Sequence, residues 1–180
     1  MTDTLMQHGQ HGAEVLAGLM HSVFDPLVES IFEHGGKIVG FAGDGIMALY
    51  PLEDDEKRMS LRALSSANVI QQRLQKEPVR STVYGTFPIS ARIGLALGSV
   101  SWRILRSGEN DQATYYFRGT AVDGSAIAEH NAPAGSIFIT DELNELLKNS
   151  VQTEPFSSFA LHRFIDFQIC SSTESIFKEI

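Results

Sequence analysis

Several side chains in this sequence have types and spacings that could support chemistry. His8 and His11 stand three residues apart and could share a metal ion, but the flanking glycines give them no fixed common face, and an exposed loop pair is the commoner reading. Arg92 and Arg118 could each face a phosphate, although a solvated position on an alternating strand accounts for them as well. Trp102, Tyr115, Tyr116 and Phe117 lie on one expected hairpin and could stack a base or serve as core or interface residues. His130, near an expected helix end, reads as a solvated or capping histidine. Cys170, the single cysteine, has no His/Asp arrangement nearby and offers no activated nucleophile. One cysteine also excludes an internal disulfide or a zinc ribbon.

The elements that must position these residues follow from composition and pattern. A chain of 180 residues, 43% hydrophobic and 20% charged, is long enough for one domain with its own core. Fourteen basic against 22 acidic residues give a net charge of −8, the wrong sign for a general nucleic-acid binder. The first basic residue is Lys37, so no secretory signal is expected. No uninterrupted apolar run reaches the ~18 residues of a membrane span, and the expectation is a soluble, cytoplasmic protein without a membrane span.

Residues 1–12 read as a polar, glycine-containing arm, and 13–180 as the domain. Leu16, Met20, Val23, Leu27 and Ile31 recur at helical steps, with Pro26 expected to kink or divide that helix and Gly35-Gly36 to end it. KIVGF and IMALY flank Asp44-Gly45, the pattern of a tight hairpin in which Asp tolerates a positive φ. Asp54, Asp55 and Glu56 open a second helix striped by Met59, Ala63, Ala67, Ile70 and Leu74, and Pro78 marks its stop. A strand is expected over Ile89–Val100, then a hairpin whose arms are Trp102–Arg106 and Thr114–Arg118. A helix over Gly119–Asn131 could take Asp123 as its cap. A strand over Ser136–Thr140, a short helix capped by Thr140, and late strands over Phe164–Ile169 and Ser175–Ile180 complete the chain. The mixture of helices and hairpins predicts an α/β (α+β) sandwich rather than a doubly wound sheet. Neither the GxGxxG fingerprint nor the P-loop is present.

Four stretches, in order, resemble the catalytic domain of class III nucleotidyl cyclases (adenylate/guanylate cyclases). GGKIVGFAGDGIMALYP resembles that family's signature hairpin, GAEVLAGLMHSVFDPLVESIFEHGG its first helix, and ARIGLALGSV its central RIG-type strand. FRGTAVDGSAIAEHNAPAGSIFIT resembles its glycine, helix and strand segment, and the similarity runs over roughly residues 9 to 180. AGDG together with AVD is most similar to the first catalytic half of bicarbonate-responsive, tandem-domain soluble adenylate cyclases.

The resemblance implies a ferredoxin-like βαββαβ core and head-to-tail dimers with active sites at the subunit interface. It implies conversion of ATP or GTP to the 3′,5′-cyclic nucleotide, with pyrophosphate leaving and Mg²⁺ or Mn²⁺ as cofactor if the domain is active. Residue by residue, Asp44 falls at the hairpin metal aspartate. The family's other metal aspartate lies on a first strand that this sequence lacks. Gly40 stands where the family has its purine-recognising lysine, and Tyr116 stands at the partner purine position. Asp123 occupies the position of the ribose-orienting asparagine, and Ile127 that of the transition-state arginine. One of six functional positions is therefore retained. The expected function is a degenerate cyclase half, weak alone, that forms a homodimer or pairs with a second cyclase domain. The alternatives are a non-catalytic dimerisation or sensing module, and an active cyclase truncated at its N-terminus.

Overall fold

The computed structural model describes residues 1–52, 55–106, 113–156 and 160–168. The chain divides into two compact units, the first spanning Met1–Ala91 and the second beginning at Arg92.

The first unit opens with helices α1 (Thr2–Met6) and α2 (Gly9–Glu33). Residues 1–12 are thus largely helical where an arm was expected. The reason is apolar: Leu5 is fully buried and packs with Leu19 and Phe87, beside Val15, Leu16 and Val23. Pro26 does not divide α2, which runs continuously past it. The Pro26 carbonyl instead accepts a hydrogen bond from Arg73 Nη1 at 2.9 Å. The C-terminus of α2 is closed from outside the helix: Arg62 donates to the carbonyls of His34 (3.1 Å) and Glu33 (3.2 Å), which have no intrahelical partner. By length and composition α2 could cross a membrane, which a search for uninterrupted apolar runs misses because Glu14, Asp25 and Glu29 punctuate it. Its Leu19 and Ile31 are buried within the unit.

Strands β1 (Lys37–Ala42) and β2 (Gly45–Leu49) form the expected antiparallel hairpin. Helix α3 (Glu56–Lys76) follows, its N-cap Asp55 accepting from the Arg58 amide at 2.9 Å. Asp54 lies outside the described residues. The buried stripe of α3 includes Ala67, Ile70 and Leu74 as expected, but Leu61 and Leu64 are its most buried apolar residues. Small Ser60, Ser65 and Ser66 are buried too, and they let α2 approach closely: Ser30 Oγ lies 3.5 Å from Ser66. A second hairpin, β3 (Val79–Thr82) with β4 (Gly85–Pro88), closes the unit. It was not among the expected elements, since its strands are only four residues each.

The second unit holds a four-stranded sheet in the order β5-β8-β10-β9, made of β5 (Ile93–Leu95), β8 (Ile137–Thr140), β9 (Val151–Phe156) and β10 (Leu161–Phe167). β5 and β8 are parallel; β10 runs antiparallel to both neighbours. The long strand expected over Ile89–Val100 is paired over only three residues. β9 is a further strand beyond those expected. A separate ribbon, β6 (Ser101–Arg106) with β7 (Ala113–Arg118), matches the expected hairpin. Helix α4 (Thr120–Asn131) packs on β5 and β8, and α5 (Asp141–Leu147) follows β8. Ala128 and Ala132 of α4 meet Phe138 and Leu161 of the sheet in one buried cluster. Thr140 is the N-cap of α5 but makes no side-chain cap bond; its buried Oγ1 has no partner among the described residues. The strand expected over Ser175–Ile180 and Cys170 lie outside the described residues.

Candidate functional site

The hairpin that carries Asp44 is built by its neighbour. Ala42 pairs with Gly45, so the two turn residues are Gly43 and Asp44. Gly43 holds the positive φ, at 62°, and Asp44 does not. The expected reason for aspartate, tolerance of a positive φ, is therefore absent, and backbone geometry does not demand this side chain. Asp44 is exposed at the tip and has no hydrogen bond or ion pair among the described residues. No group of three or more His, Cys, Asp or Glu side chains placed to hold a metal exists among the described residues. One carboxylate leaves Mg²⁺ largely hydrated, so the described residues of this chain do not by themselves make a metal site.

Gly40 lies on β1 opposite Met47, just past a bulge at Val39. A Cβ built there meets nothing within 4 Å. The position is open space, and no packing constraint explains its glycine.

Helix α4 is seated by close backbone approach. A Cβ on Gly94 of β5 would lie 2.3 Å from both the Glu129 amide nitrogen and the Ser125 carbonyl oxygen of α4. The start of the helix is tied to the preceding loop, where the Ser99 amide donates to Thr120 Oγ1 at 3.0 Å. The N-cap is Gly119 and no side chain caps the helix, so Asp123 is not its cap. Asp123 stands in the first turn, where negative charge is favoured, and is exposed. Ile127 follows one turn later on the same face, with 43% of its surface exposed. A large aliphatic side chain on a solvated face gains little by burial there.

Arg92 is paired: its Nε lies 3.1 Å from Glu129 Oε1. Arg118 is exposed at the end of β7, opposite Ser101. The register of the β6–β7 ribbon divides the aromatic residues. Trp102 faces Phe117 across the ribbon, and Ile104 faces Tyr115, so these four share one side. Tyr116, opposite Arg103, points to the other side and is half-buried. His8 stacks on Tyr84 at 3.8 Å and His11 approaches the edge of the same ring, so this pair serves packing of α2 against β3–β4. His130 is exposed in the last turn of α4.

Tyr50, just past the end of β2, is half-buried. Burial raises its hydroxyl pKa, against a smaller lowering by its hydrogen bond to Ser66.

No family model matches the chain. Over 142 residues it is 27% identical to adenylate cyclase type 10 of Oryctolagus cuniculus; the match covers 78% of this chain and 8% of that protein. Thus the chain spans about a twelfth of the length of the curated relatives it matches. Among solved structures, the guanylate cyclase domain of RhGC from Catenaria anguillulae, in complex with GTP, superposes with a TM-score of 0.71 at 18% identity over 86% of each chain. The adenylyl cyclase CyaB from P. aeruginosa gives 0.64 at 20% identity, covering 86% of this chain and 84% of that one.

Proposed function

Because this chain has the fold of a class III nucleotidyl cyclase catalytic domain, we propose that it acts as a degenerate cyclase half in nucleotide signalling. It contributes scaffold and at most one metal contact, through Asp44, to a site completed by a second cyclase domain. The observation that carries this reading is a contrast within one fold: Asp44 is retained without a backbone reason, while Gly40, Asp123 and Ile127 occupy exposed or open positions with no packing reason to differ. An aliphatic side chain at 127 donates no hydrogen bond to a developing phosphate charge, and Asp123 adds negative charge beside it. Any divalent-ion dependence, on Mg²⁺ or Mn²⁺, and the choice of ATP or GTP would then come with the partner. We place the protein in the cytoplasm, consistent with a nucleoside triphosphate as the partner's substrate.

The test is direct product detection. The purified chain with Mn²⁺ and ATP or GTP should yield no cyclic nucleotide by mass spectrometry. Addition of a cyclase domain with intact lysine, asparagine and arginine should yield product, and Asp44→Ala in this chain should lower it. Robust product from the chain alone would overturn the reading.

A further inference from the structure

A cleft in the first unit lies between α2 and the β3–β4 hairpin and encloses about 310 Å³. Small-molecule sites begin at about that size, roughly 300 Å³. Val15 and the buried Leu19 of α2 form its apolar side, and Arg80, Thr82 and Val83 line it from the hairpin. No carboxylate lines it, in a chain whose net charge is −8. Among the lining residues the ionic group is Arg80.

Register places that arginine. Arg80 stands opposite Phe87 across the hairpin, so the two share a face. Phe87 clusters with Leu5 and Leu19, so the guanidinium is set among apolar side chains, and the Arg80 side chain is only 22% exposed. Its Nη1 lies 2.8 Å from Glu77 Oε2 and donates to the Glu77 carbonyl at 2.8 Å. Nε and Nη2 have no acceptor among the described residues. A guanidinium carries donors on all three nitrogens, so those two are unspent. The hydroxyls nearby are engaged within the fold. Ser22 Oγ donates to the Leu19 carbonyl at 2.7 Å. Thr82 Oγ1 accepts from the Tyr84 amide and donates to the Gly85 carbonyl, each at 3.1 Å.

Val83 marks the same cleft from its mouth. Thr82 pairs with Gly85, so Val83 and Tyr84 form a two-residue turn, and neither has a positive φ. Turns of this kind favour Gly, Asn, Asp or Ser, yet Val83 stands there with 78% of its surface exposed. The fold buries little of this side chain, whereas an apolar body in the cleft would cover it.

We propose that this cleft binds a small aliphatic carboxylate, with its head on Nε and Nη2 of Arg80 and its tail along Val15, Leu19 and Val83. The paired oxygens of a carboxylate match a guanidinium edge. A singly charged head fits better than a phosphate dianion, because the Glu77 carboxylate already lies on the same guanidinium and repels added negative charge. The tail is aliphatic because the apolar side chains lining the cleft are aliphatic. This site is independent of the proposed nucleotide chemistry, and its test involves no catalysis.

The test is a titration of the full chain with sodium octanoate, followed by amide and methyl chemical shifts in NMR. The Arg80–Val83 amides and the Val15 and Leu19 methyls should shift together and saturate at millimolar octanoate. Acetate keeps the head without the tail, and octyltrimethylammonium keeps the tail with the opposite charge; each should bind at least about tenfold more weakly. Octyl phosphate should also bind more weakly than octanoate. Arg80→Gln should weaken octanoate about tenfold. Val83→Asp alters an exposed turn position, sets a carboxylate at the mouth and should weaken octanoate as well, which keeps the test open should Arg80→Gln not fold. Absence of saturable shifts, equal binding of the ammonium, tighter binding of octyl phosphate, or unchanged affinity in either folded variant would overturn the proposal.

Discussion

The turn at Gly43-Asp44 and the helix α4 both belong to the cyclase-like fold, and they separate backbone demands from exposed side chains in different ways. In the turn, the residue that sets the backbone and the residue that could do chemistry are separate: Gly43 takes the positive φ and Asp44 is unconstrained. In α4 the seat is equally strict, set by Gly94 against the helix backbone, but the exposed face above it, with Asp123 and Ile127, is free of packing demands. Buried seats and exposed faces are therefore constrained by different things. The first are held by sterics within the chain, and the second meet no such steric demand.

The largest effect expected from breaking this comparison is at the α4 seat. Gly94→Ala puts a Cβ against helix backbone, which cannot swing aside as a side chain can, and should cost about 3 kcal/mol by chemical denaturation. Gly43→Ala should cost about 1 kcal/mol, because the new side chain must occupy a left-handed conformation. Asp44→Ala, one residue away, should leave stability within about 0.5 kcal/mol, since Asp44 bonds to nothing among the described residues. A loss from Asp44→Ala as large as that from Gly43→Ala would erase the distinction.

The chemical positions should be the most forgiving. Gly40→Lys and Ile127→Arg should each fold with stability within about 0.5 kcal/mol of the parent, measured by urea titration, because one enters open space and the other an exposed helix face. Combined with Asp123→Asn, they should raise cyclic nucleotide formation in the presence of a partner domain.

A smaller, pH-confined effect marks Tyr50. Its folded pKa is raised above the ordinary 10.0, so the neutral ring is the form that the fold favours. Its contribution is intact below pH 10.0 and is lost as pH climbs from there through the folded value. Tyr50→Phe should flatten the alkaline limb of stability against pH and leave the neutral region nearly unchanged.

Much of this was legible in the sequence because it is local. The hairpin around Asp44, the Asp55 start of α3, the β6–β7 ribbon and the Thr120–Asn131 helix all carry their period and punctuation in adjacent residues. The missed pieces depend on distant partners. α1 is a five-residue helix that is marginal alone and is held by the burial of Leu5. Pro26 was expected to kink or divide α2; division does not occur, and the Pro26 carbonyl takes a hydrogen bond from Arg73. β3 and β4 are too short to show alternation. Asp123 resembled a cap by residue type, but Gly119 is the N-cap of α4 and Asp123 stands inside its first turn.

By itself, then, the sequence determined the hairpin around Asp44, the start of α3, the β6–β7 ribbon, helix α4 and the net acidic charge, because residue type and local spacing are properties of the chain alone. Only the tertiary structure decided that Gly43 rather than Asp44 bears the turn's left-handed backbone, that Gly94 must be small, and that Tyr116 points away from Trp102, Tyr115 and Phe117. It also decided where Ile89–Val100 stops pairing as a strand. Register, close approach and edge exposure are relations between segments far apart in the chain, and no local pattern encodes them.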